Sequence, residues 1–324
     1  MFDFMRYWDY YNLKGSPITS ATDFDILVSK IQQKYVSLKW VWRGLANREY
    51  ALTSSLYREL CRVRRASGVP PFLPPEGLGV TTPKSIADAD SLVAVERRLL
   101  DEFRQWLKPF TSNPLLSWSA RDAVAALALM QHNSTPTRLI DASTEPLVAL
   151  WFATETAGLS GAADGRIICF AYDDASTYSP TRSLSDPFWW KSTPQSGWTK
   201  GDYRVLVGNP NWSQRISAQS GAFVLAGVFE TGGGGKGAQL SSFKALNPLT
   251  LDQVRVVSPH GIRAHKGLGA RGVRAIKPVL TFTISAAAKA GIRDQLRRNH
   301  GLTSSSLFPD QAGFTAYVRT LWDI

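Results

Sequence analysis

The stretch QHNSTPTRLIDASTEPLVALWFA, residues 131–153, contains the change of local structure that decides the fold. Residues 136–140 are predicted to form a short strand. A helix follows at about 146–155, with Pro146 in its first turn, where proline's missing N–H is tolerated. Helices are predicted mainly before this stretch and strands mainly after it. This order favours an α+β fold over a repeated strand–helix–strand unit.

The flanking sequence supplies the remaining elements. Apolar residues at helical spacing predict helices over residues 21–35, 85–110, 118–132 and 286–300. Strands are predicted over residues 37–42, 166–172, 203–207, 222–229 and 279–284. Thr22 or Asp23 is available to cap the first helix. The first strand is expected to stop at Arg43-Gly44, where Gly44 lets the backbone turn beside the arginine.

Composition restricts the class of protein. Hydrophobic residues make up 44% of the 324 and charged residues 19%, which excludes a disordered chain. We expect a single domain, with an N-terminal helical lead-in over 1–36, a core over about 37–285 and a C-terminal helical segment over 286–324. The glycine run TGGGGKG, residues 231–237, does not have the spacing of a phosphate-binding loop.

Two cysteines and four histidines are too few for a disulfide framework or a cysteine-based zinc site. His260 and His265 lie five residues apart in a glycine-rich loop, which is weak support for a metal site, so no metal is predicted. The N-terminal sequence MFDFMRYWDYYN lacks the pattern of a secretion signal, and no run approaches ~18 apolar residues. We therefore expect a cytoplasmic protein without a membrane segment.

Positive charge is concentrated in one segment. The formal net charge is +11, and residues 255–298 contain ten basic side chains against one acid, Asp294. Such clustering is typical of a phosphate-binding surface, although a solvated basic loop has the same composition. The candidate nucleic-acid-binding residues are Arg263, Lys266, Arg271, Arg274, Arg293, Arg297 and Arg298.

Four segments combine charged, hydroxyl and glycine residues: Trp42-Arg43-Gly44, Gln131-His132 with PTRLID at 136–141, RISAQSGAF at 215–223, and LFPD at 307–310 with Gly313. In this order and spacing they resemble the FRG domain family, named for a Phe-Arg-Gly motif, from about Ile26 to Leu321. Three positions depart from the family pattern. Trp42 stands for Phe and Ile140 for Leu, while Ala142 replaces a usual Trp and changes the floor of a pocket.

A looser resemblance is to the ADP-ribosyltransferase fold, in which one strand supplies an Arg or His, a second a Ser-Thr-Ser-like segment before an Ala/Phe-containing helix, and a third a Glu. Arg43 is similar to the first position and Thr137-Arg138 to the second, with Ala149 and Phe152 on the helix. The resemblance implies a split β core decorated with N-terminal and inserted helices. The third position falls near Gln219, where the catalytic carboxylate is missing.

This resemblance implies NAD as a substrate. The residues expected to hold it are Arg43, Gly44, Thr137, Arg138 and Ser143. The candidate catalytic residues are Gln219, Asp141 and His132. The missing negative charge could come from Asp141, Glu145 or Glu230. A guanidinium suits a diphosphate because its planar fork donates two hydrogen bonds at once.

Structural roles are the alternative for each of these residues. Arg43 could pair with Asp141 only as an internal tether, and Arg138 could form a local salt bridge with the same carboxylate. His132 could cap or pack the end of its helix. Gln219, beside Gly221, could fix a turn.

Three functions remain open from sequence. The first is an NAD-dependent ADP-ribosyltransferase, a bacterial intracellular toxin or phage-defence effector with a possible neutralising partner protein. Its acceptor would be anionic, with nucleic acid modestly favoured over protein. The second is a non-catalytic nucleotide or nucleic-acid binding module, for which the missing Glu is the best evidence. The third is an NAD glycohydrolase, in which water is the acceptor. The acceptor, the completing carboxylate and the oligomeric state are not decided by the sequence.

Overall fold

The computed structural model describes residues 17–48, 50, 54–56, 59, 87–107, 123–156, 163–172, 203–208, 210–226 and 279–322. The strands are β1 (Lys39–Leu45), β2 (Ile140–Ser143), β3 (Gly165–Tyr172), β4 (Tyr203–Val207), β5 (Gly221–Ala226) and β6 (Val279–Ile284). The helices are α1 (Ala21–Lys34), α2 (Ala87–Leu107), α3 (Ala123–His132), α4 (Pro146–Ala153), α5 (Gln214–Ala218), α6 (Lys289–His300), α7 (Ser304–Leu307) and α8 (Gln311–Trp322). This mixture of helices with one open antiparallel sheet confirms the α+β prediction.

The six strands lie in the order β4-β5-β2-β1-β3-β6, and every neighbouring pair is antiparallel. β1 aligns with β3 along its whole length, from Lys39 opposite Tyr172 to Leu45 opposite Arg166. Within the described strands, β1 and β2 share a single register pair, Trp42 opposite Ser143. We call the boundary between β1 and β2 on either side of this pair the seam. It joins one half of the sheet, β4-β5-β2, to the other, β1-β3-β6.

One face of the sheet is covered by α1, α4 and α6. Phe24 of α1, Leu150 of α4 and Ile292 of α6 are buried in one apolar cluster with Trp42 of β1. α4 is apolar on nearly all sides because it lies between the sheet and other helices. A second cluster joins α2, α3 and α5 to β4 and β5. These two clusters fix the helices that supply the candidate site.

α4 approaches the sheet at two glycines. A Cβ atom on Gly44 would lie 2.0 Å from the backbone oxygen of Ala149, and one on Gly165 would lie 2.1 Å from that of Ala153. Gly44 lies within β1, opposite Ile167, so the prediction that the strand ends in a turn there is wrong. Its lack of a side chain serves helix packing instead.

Several boundaries differ from the sequence prediction for local reasons. β2 is Ile140–Ser143 and not 136–140, because the backbone oxygen of Thr137 accepts from the N–H of Leu56 and its own N–H donates to Ser55 Oγ. Ser20, not Thr22 or Asp23, caps α1 by accepting from the N–H of Asp23 at 3.0 Å. The bounds predicted for β4 and β6 are confirmed. Among the described helices, none has the length and apolar character needed to cross a membrane.

Candidate functional site

The four segments selected from the sequence meet beside the seam. β1 supplies Arg43, the end of α3 supplies Gln131 and His132, and β2 supplies Asp141. The segment RISAQSGAF contributes through α5 and the turn before β5, and the segment LFPD lies against that turn. Residues distant in sequence therefore lie close together here, which the individual motifs could not establish.

Arg43 and Asp141 form a partly exposed ion pair across the seam. Arg43 Nη1 donates to the backbone oxygen of Asp141 at 3.1 Å and lies 3.4 Å from its Oδ2. The side chains are 27% and 50% exposed, respectively. Arg43 Nε is buried and has no hydrogen-bond partner in the described part of the chain. A buried donor without a partner costs free energy, so this unused N–H marks the guanidinium as a candidate ligand-binding group.

Gln131 fixes the Asp141 carboxylate from the other side. Its Nε2 donates to Asp141 Oδ2 at 3.1 Å, and its Oε1 accepts from Thr137 Oγ1 at 2.8 Å and from Ser55 Oγ at 2.9 Å. Thr137 is fully buried, so its hydroxyl positions Gln131 and does not face a dissolved ligand. The sequence did not predict Ser55 as part of the site, nor that Gln131 would hold the Asp141 carboxylate, although Gln131 lies in the Gln131-His132 segment.

His132 lies among charged groups at the end of α3. Burial is the main reason that the pKa of His132 is lowered, and the positive charge of Arg215 lowers it further. The negative charges of Asp310 and Asp141 oppose this shift in His132. Its Nε2 is buried, and the described residues offer it no hydrogen-bond partner. The imidazole is therefore neutral at physiological pH and is able to accept a proton.

Arg215 and Asp310 form a bidentate ion pair near the site. Arg215 Nε donates to Asp310 Oδ2 at 2.7 Å, and its Nη2 donates to Oδ1 at 2.6 Å. The guanidinium carbon also lies 5.2 Å from the ring centroid of Phe308. The hydrogen bond from Arg215 is the first cause that lowers the pKa of Asp310, and the Gly313 N–H also favours the ionised form. The sequence did not predict either residue as a site residue, although Arg215 lies in RISAQSGAF and Asp310 in LFPD.

Ser143 and Gln219 connect β2 to the turn before β5. Ser143 Oγ donates to the backbone oxygen of Gln219 at 2.7 Å and accepts from the Glu145 N–H at 2.9 Å. Gln219 Nε2 donates to the backbone oxygen of Leu307 at 2.9 Å. The next residue, Ser220, adopts a left-handed conformation with φ 46°. The amide of Gln219 and its backbone oxygen therefore hold this turn in place, which is the structural alternative to a catalytic role. Glu145 is exposed and precedes α4.

Arg138 pairs with a different carboxylate from Arg43. Its Nε is 2.9 Å from Glu96 Oε2, and the two side chains are 4% and 3% exposed. Burial raises the pKa of Glu96, and Arg138 opposes this shift. The alternative of a local Arg138–Asp141 salt bridge is wrong, since the carboxylate beside Arg138 is that of Glu96 and Asp141 pairs with Arg43. Its burial leaves Arg138 little surface with which to contact NAD.

The basic segment is only partly described. Arg263, Lys266, Arg271 and Arg274 lie outside the described residues, as does Glu230. On α6, Arg293 donates to both oxygens of Glu155 at 3.0 and 3.1 Å, and its guanidinium carbon lies 4.1 Å from the ring centroid of Trp151. Lys289, at the start of α6, is buried and donates to the backbone oxygen of Ala46 at 2.6 Å.

Further along α6, Arg297 and Arg298 are exposed and share Asp294 as an ion-pair partner. These two arginines are the α6 candidates with the most surface available to an anion. The described residues contain no group of three or more His, Cys, Asp or Glu side chains arranged to hold a metal ion.

Residues 38–160 match the family model of the FRG domain. No curated protein and no solved structure matches the chain. The matched range includes Arg43, Gln131, Asp141 and α4, whereas Arg215, Gln219 and Asp310 lie beyond it, so the match is shorter than the resemblance from Ile26 to Leu321. Both sides of the seam fall inside the matched range, so residues 38–160, which include Arg43 and Asp141, carry the likeness to the FRG domain.

Proposed function

We propose that the chain is an NAD-dependent ADP-ribosyltransferase-like enzyme whose NAD site lies at the seam. The observation that carries the proposal is the partly exposed guanidinium of Arg43, which lies beside a partly exposed carboxylate and whose Nε–H has no partner in the described part of the chain. A guanidinium with an unused donor edge suits a diphosphate, since the fork matches two phosphate oxygens.

The placement of the three motif positions also supports this function. β1, β2 and β5 are neighbours in the sheet, and they carry Arg43, the hydroxyl segment and Gln219 at their ends or adjoining turns. The hydroxyls that lead directly into α4 are Ser143 and Thr144, rather than Thr137. We therefore assign the second position of the ADP-ribosyltransferase pattern to Ser143-Thr144, with Ala149 and Phe152 on the helix that follows.

In the proposed transfer of ADP-ribose, Asp141 and His132 have separate roles. The bond between ribose C1′ and the nicotinamide nitrogen breaks, and its electron pair leaves with nicotinamide. The ionised carboxylate of Asp141 stabilises the positive charge that develops on the ribose. The acceptor's nucleophilic atom then bonds to C1′, and its proton passes to neutral His132. With water in place of the acceptor, the same steps give the glycohydrolase.

The acceptor we propose is anionic, and nucleic acid fits the basic segment better than an acidic protein does. Arg297 and Arg298 would contact it from α6, together with the basic side chains of residues 255–277. As a toxin or phage-defence effector inside a bacterial cell, the enzyme would need a partner protein that neutralises it in the absence of a target.

The proposal predicts that Arg43→Ala lowers transfer of labelled ADP-ribose from NAD by about 100-fold, because the diphosphate loses its bidentate partner. Purified protein is incubated with labelled NAD and separate pools of DNA, RNA and protein. Arg104→Ala is the matched control, since it removes an arginine from an exposed ion pair on α2. Nicotinamide release without a labelled product identifies the glycohydrolase, and wild-type protein that gives neither result rules out NAD consumption.

A non-catalytic binding module is the second candidate. It is favoured by Gln219, which occupies the position of the missing Glu and donates its amide hydrogen to Leu307. This function predicts that wild-type protein binds NAD or a nucleic acid without consuming NAD. It also predicts that Arg43→Ala loses the binding.

A further inference from the structure

The contact between Arg43 and Asp141 is longer than the other arginine–carboxylate contacts near the site. Nη1 lies 3.4 Å from Oδ2. Arg215 instead reaches both oxygens of Asp310, at 2.7 and 2.6 Å. Charge-assisted N–H···O bonds usually measure about 2.7–2.9 Å. The Arg43–Asp141 contact is therefore easily broken, particularly since both side chains are partly exposed.

Each partner also has a second contact that does not depend on the first. Arg43 Nη1 donates to the backbone oxygen of Asp141 at 3.1 Å, which holds the guanidinium at the seam without the carboxylate. Asp141 Oδ2 accepts from Gln131 Nε2 at 3.1 Å, and Gln131 is fixed by Thr137 and Ser55. Loss of the 3.4 Å contact would therefore leave both groups in position.

The unused hydrogen-bonding capacity lies on the same two groups. Arg43 Nε–H has no partner among the described residues, and neither has Asp141 Oδ1. A diphosphate that binds the exposed end of the guanidinium, where Nη1 meets Asp141 Oδ2, competes with that carboxylate, and a ribose hydroxyl donates to Asp141 Oδ1. A ligand that carries a diphosphate and a ribose therefore fits Arg43 and Asp141 together.

We propose that Asp141 and the substrate diphosphate compete for Arg43, and that this exchange releases the Asp141 carboxylate to the ribose. This inference rests on the proposed function. Before substrate binds, Asp141 partly neutralises Arg43 and the carboxylate is engaged. When the diphosphate replaces it, Gln131 retains Asp141 beside the ribose, where its full negative charge is available. Asp141 thereby supplies the charge that Gln219 lacks, and only while the substrate is bound.

The exchange predicts opposite effects of one substitution on binding and turnover. Asp141→Asn keeps the shape of the side chain and an acceptor for Gln131 but removes the competing charge. It should bind ADP-ribose and inorganic pyrophosphate about two- to fivefold more tightly than wild type, as expected from loss of an exposed ion pair. Its rate of NAD consumption should fall by about 100-fold. Titration calorimetry measures the first effect, and nicotinamide release measures the second.

Asp101→Asn is the matched control, because Asp101 and Arg104 form a similarly exposed pair on α2, with an Nη1–Oδ1 distance of 3.2 Å. It should change neither quantity. Adenosine, which lacks phosphate, should show no difference between wild type and Asp141→Asn. Pyrophosphate separates the anion site from contacts with the nucleoside.

Failure of the inference is distinguishable from failure of the proposed function. If wild type consumes NAD but Asp141→Asn binds ADP-ribose no more tightly, the competition is refuted and the function stands. If Asp141→Asn keeps its NAD turnover, the carboxylate lies elsewhere and the inference is overturned. If wild type neither binds ADP-ribose nor consumes NAD, both fall together.

Discussion

Arg43 and Arg138 carry the same charge and lie close to the same strand, β2, but their surroundings give them different tasks. Arg43 shares a partly exposed carboxylate and keeps a donor unused. Arg138 is almost completely buried with Glu96, where burial disfavours an unpaired charge strongly. The first is arranged for exchange with a ligand, and the second for holding α2 against the segment before β2.

Arg138→Met should lower the free energy of unfolding by about 3–5 kcal/mol at neutral pH, since it leaves the Glu96 carboxylate buried without its counterion. The pKa of Glu96, already raised by burial, should rise further. A raised pKa in the folded state favours folding below the unfolded value and loses that contribution as pH rises. The cost should therefore shrink as pH falls. Urea unfolding across the pH range measures both effects.

The double variant Arg138→Met/Glu96→Leu is the control, because it removes both charges and should recover most of the stability. A single Arg138→Met variant within about 0.5 kcal/mol of wild type would contradict the assignment of a structural role.

At this scale the sequence selected residues that lie together in the structure, but it did not predict their partners. Arg43, Asp141 and Ser143 were selected from motifs, and the structure places them at the seam. The partner of Arg138 could not be predicted, because Glu96 comes from a helix that precedes it by a long stretch of chain. A local spacing of three suggested Asp141 instead.

Among the elements, α4 determines how closely the helices approach the sheet. It lies against Gly44 of β1 and Gly165 of β3, with its backbone oxygens where side chains would otherwise stand. The start of α4 is also fixed by Ser143 at the end of β2. This helix therefore contacts both halves of the sheet and keeps the seam in register near Arg43.

Gly44→Ala should destabilise the protein by about 3 kcal/mol, since the new Cβ would meet the Ala149 carbonyl oxygen at 2.0 Å and backbone must move to admit it. Gly291→Ala in α6 is the matched control, because nothing lies within 4 Å of its Cβ position. That change should be neutral or stabilising, since alanine favours helix. Urea unfolding compares the two. An equal response at both glycines would contradict close packing of α4.

Sequence patterns predicted elements well where the pattern was continuous. β4 and β6 have the predicted bounds, since alternation and apolar runs extend along the whole strand. β2 was misplaced towards its N-terminal side because Thr137 bonds to Ser55 and Leu56, a pairing that no local pattern contains. The antiparallel order of the strands likewise depends on contacts between distant segments.

At the scale of the molecule, the C-terminal segment is attached to the sheet through side chains near the site. Arg215 binds Asp310, and Gln219 binds the backbone of Leu307. Leu307 is buried in the same cluster as α1, α4 and α6. Residues beyond the FRG domain match thus complete the surroundings of His132, which lies inside it.

Asp310→Asn should increase hydrogen exchange in residues 304–322 and cost about 1–3 kcal/mol at neutral pH, through loss of two charge-assisted hydrogen bonds. The pKa of Asp310 is lowered in the folded state by Arg215. Its stabilising contribution is present above the unfolded pKa of about 3.9 and is lost as pH falls through the lower folded value. Wild type and variant should therefore converge at low pH.

Asp294→Asn is the comparison for this variant, because Asp294 pairs with arginines on the exposed surface of α6. It should cost less stability than Asp310→Asn, since an exposed ion pair is screened by water. Equal exchange in residues 304–322 for Asp310→Asn and wild type would show that the segment is held by other contacts.

The single register pair between β1 and β2 affects how rigidly the two halves of the sheet are joined. Because β1 and β2 share one register pair, few main-chain bonds brace the two halves of the sheet against each other. Arg43 belongs to one half, and Asp141, which Gln131 holds in place, contacts it from the other half. A molecule bound to both Arg43 and Asp141 would act as a cross-link between the halves, so occupancy of the site and rigidity of the sheet would rise together.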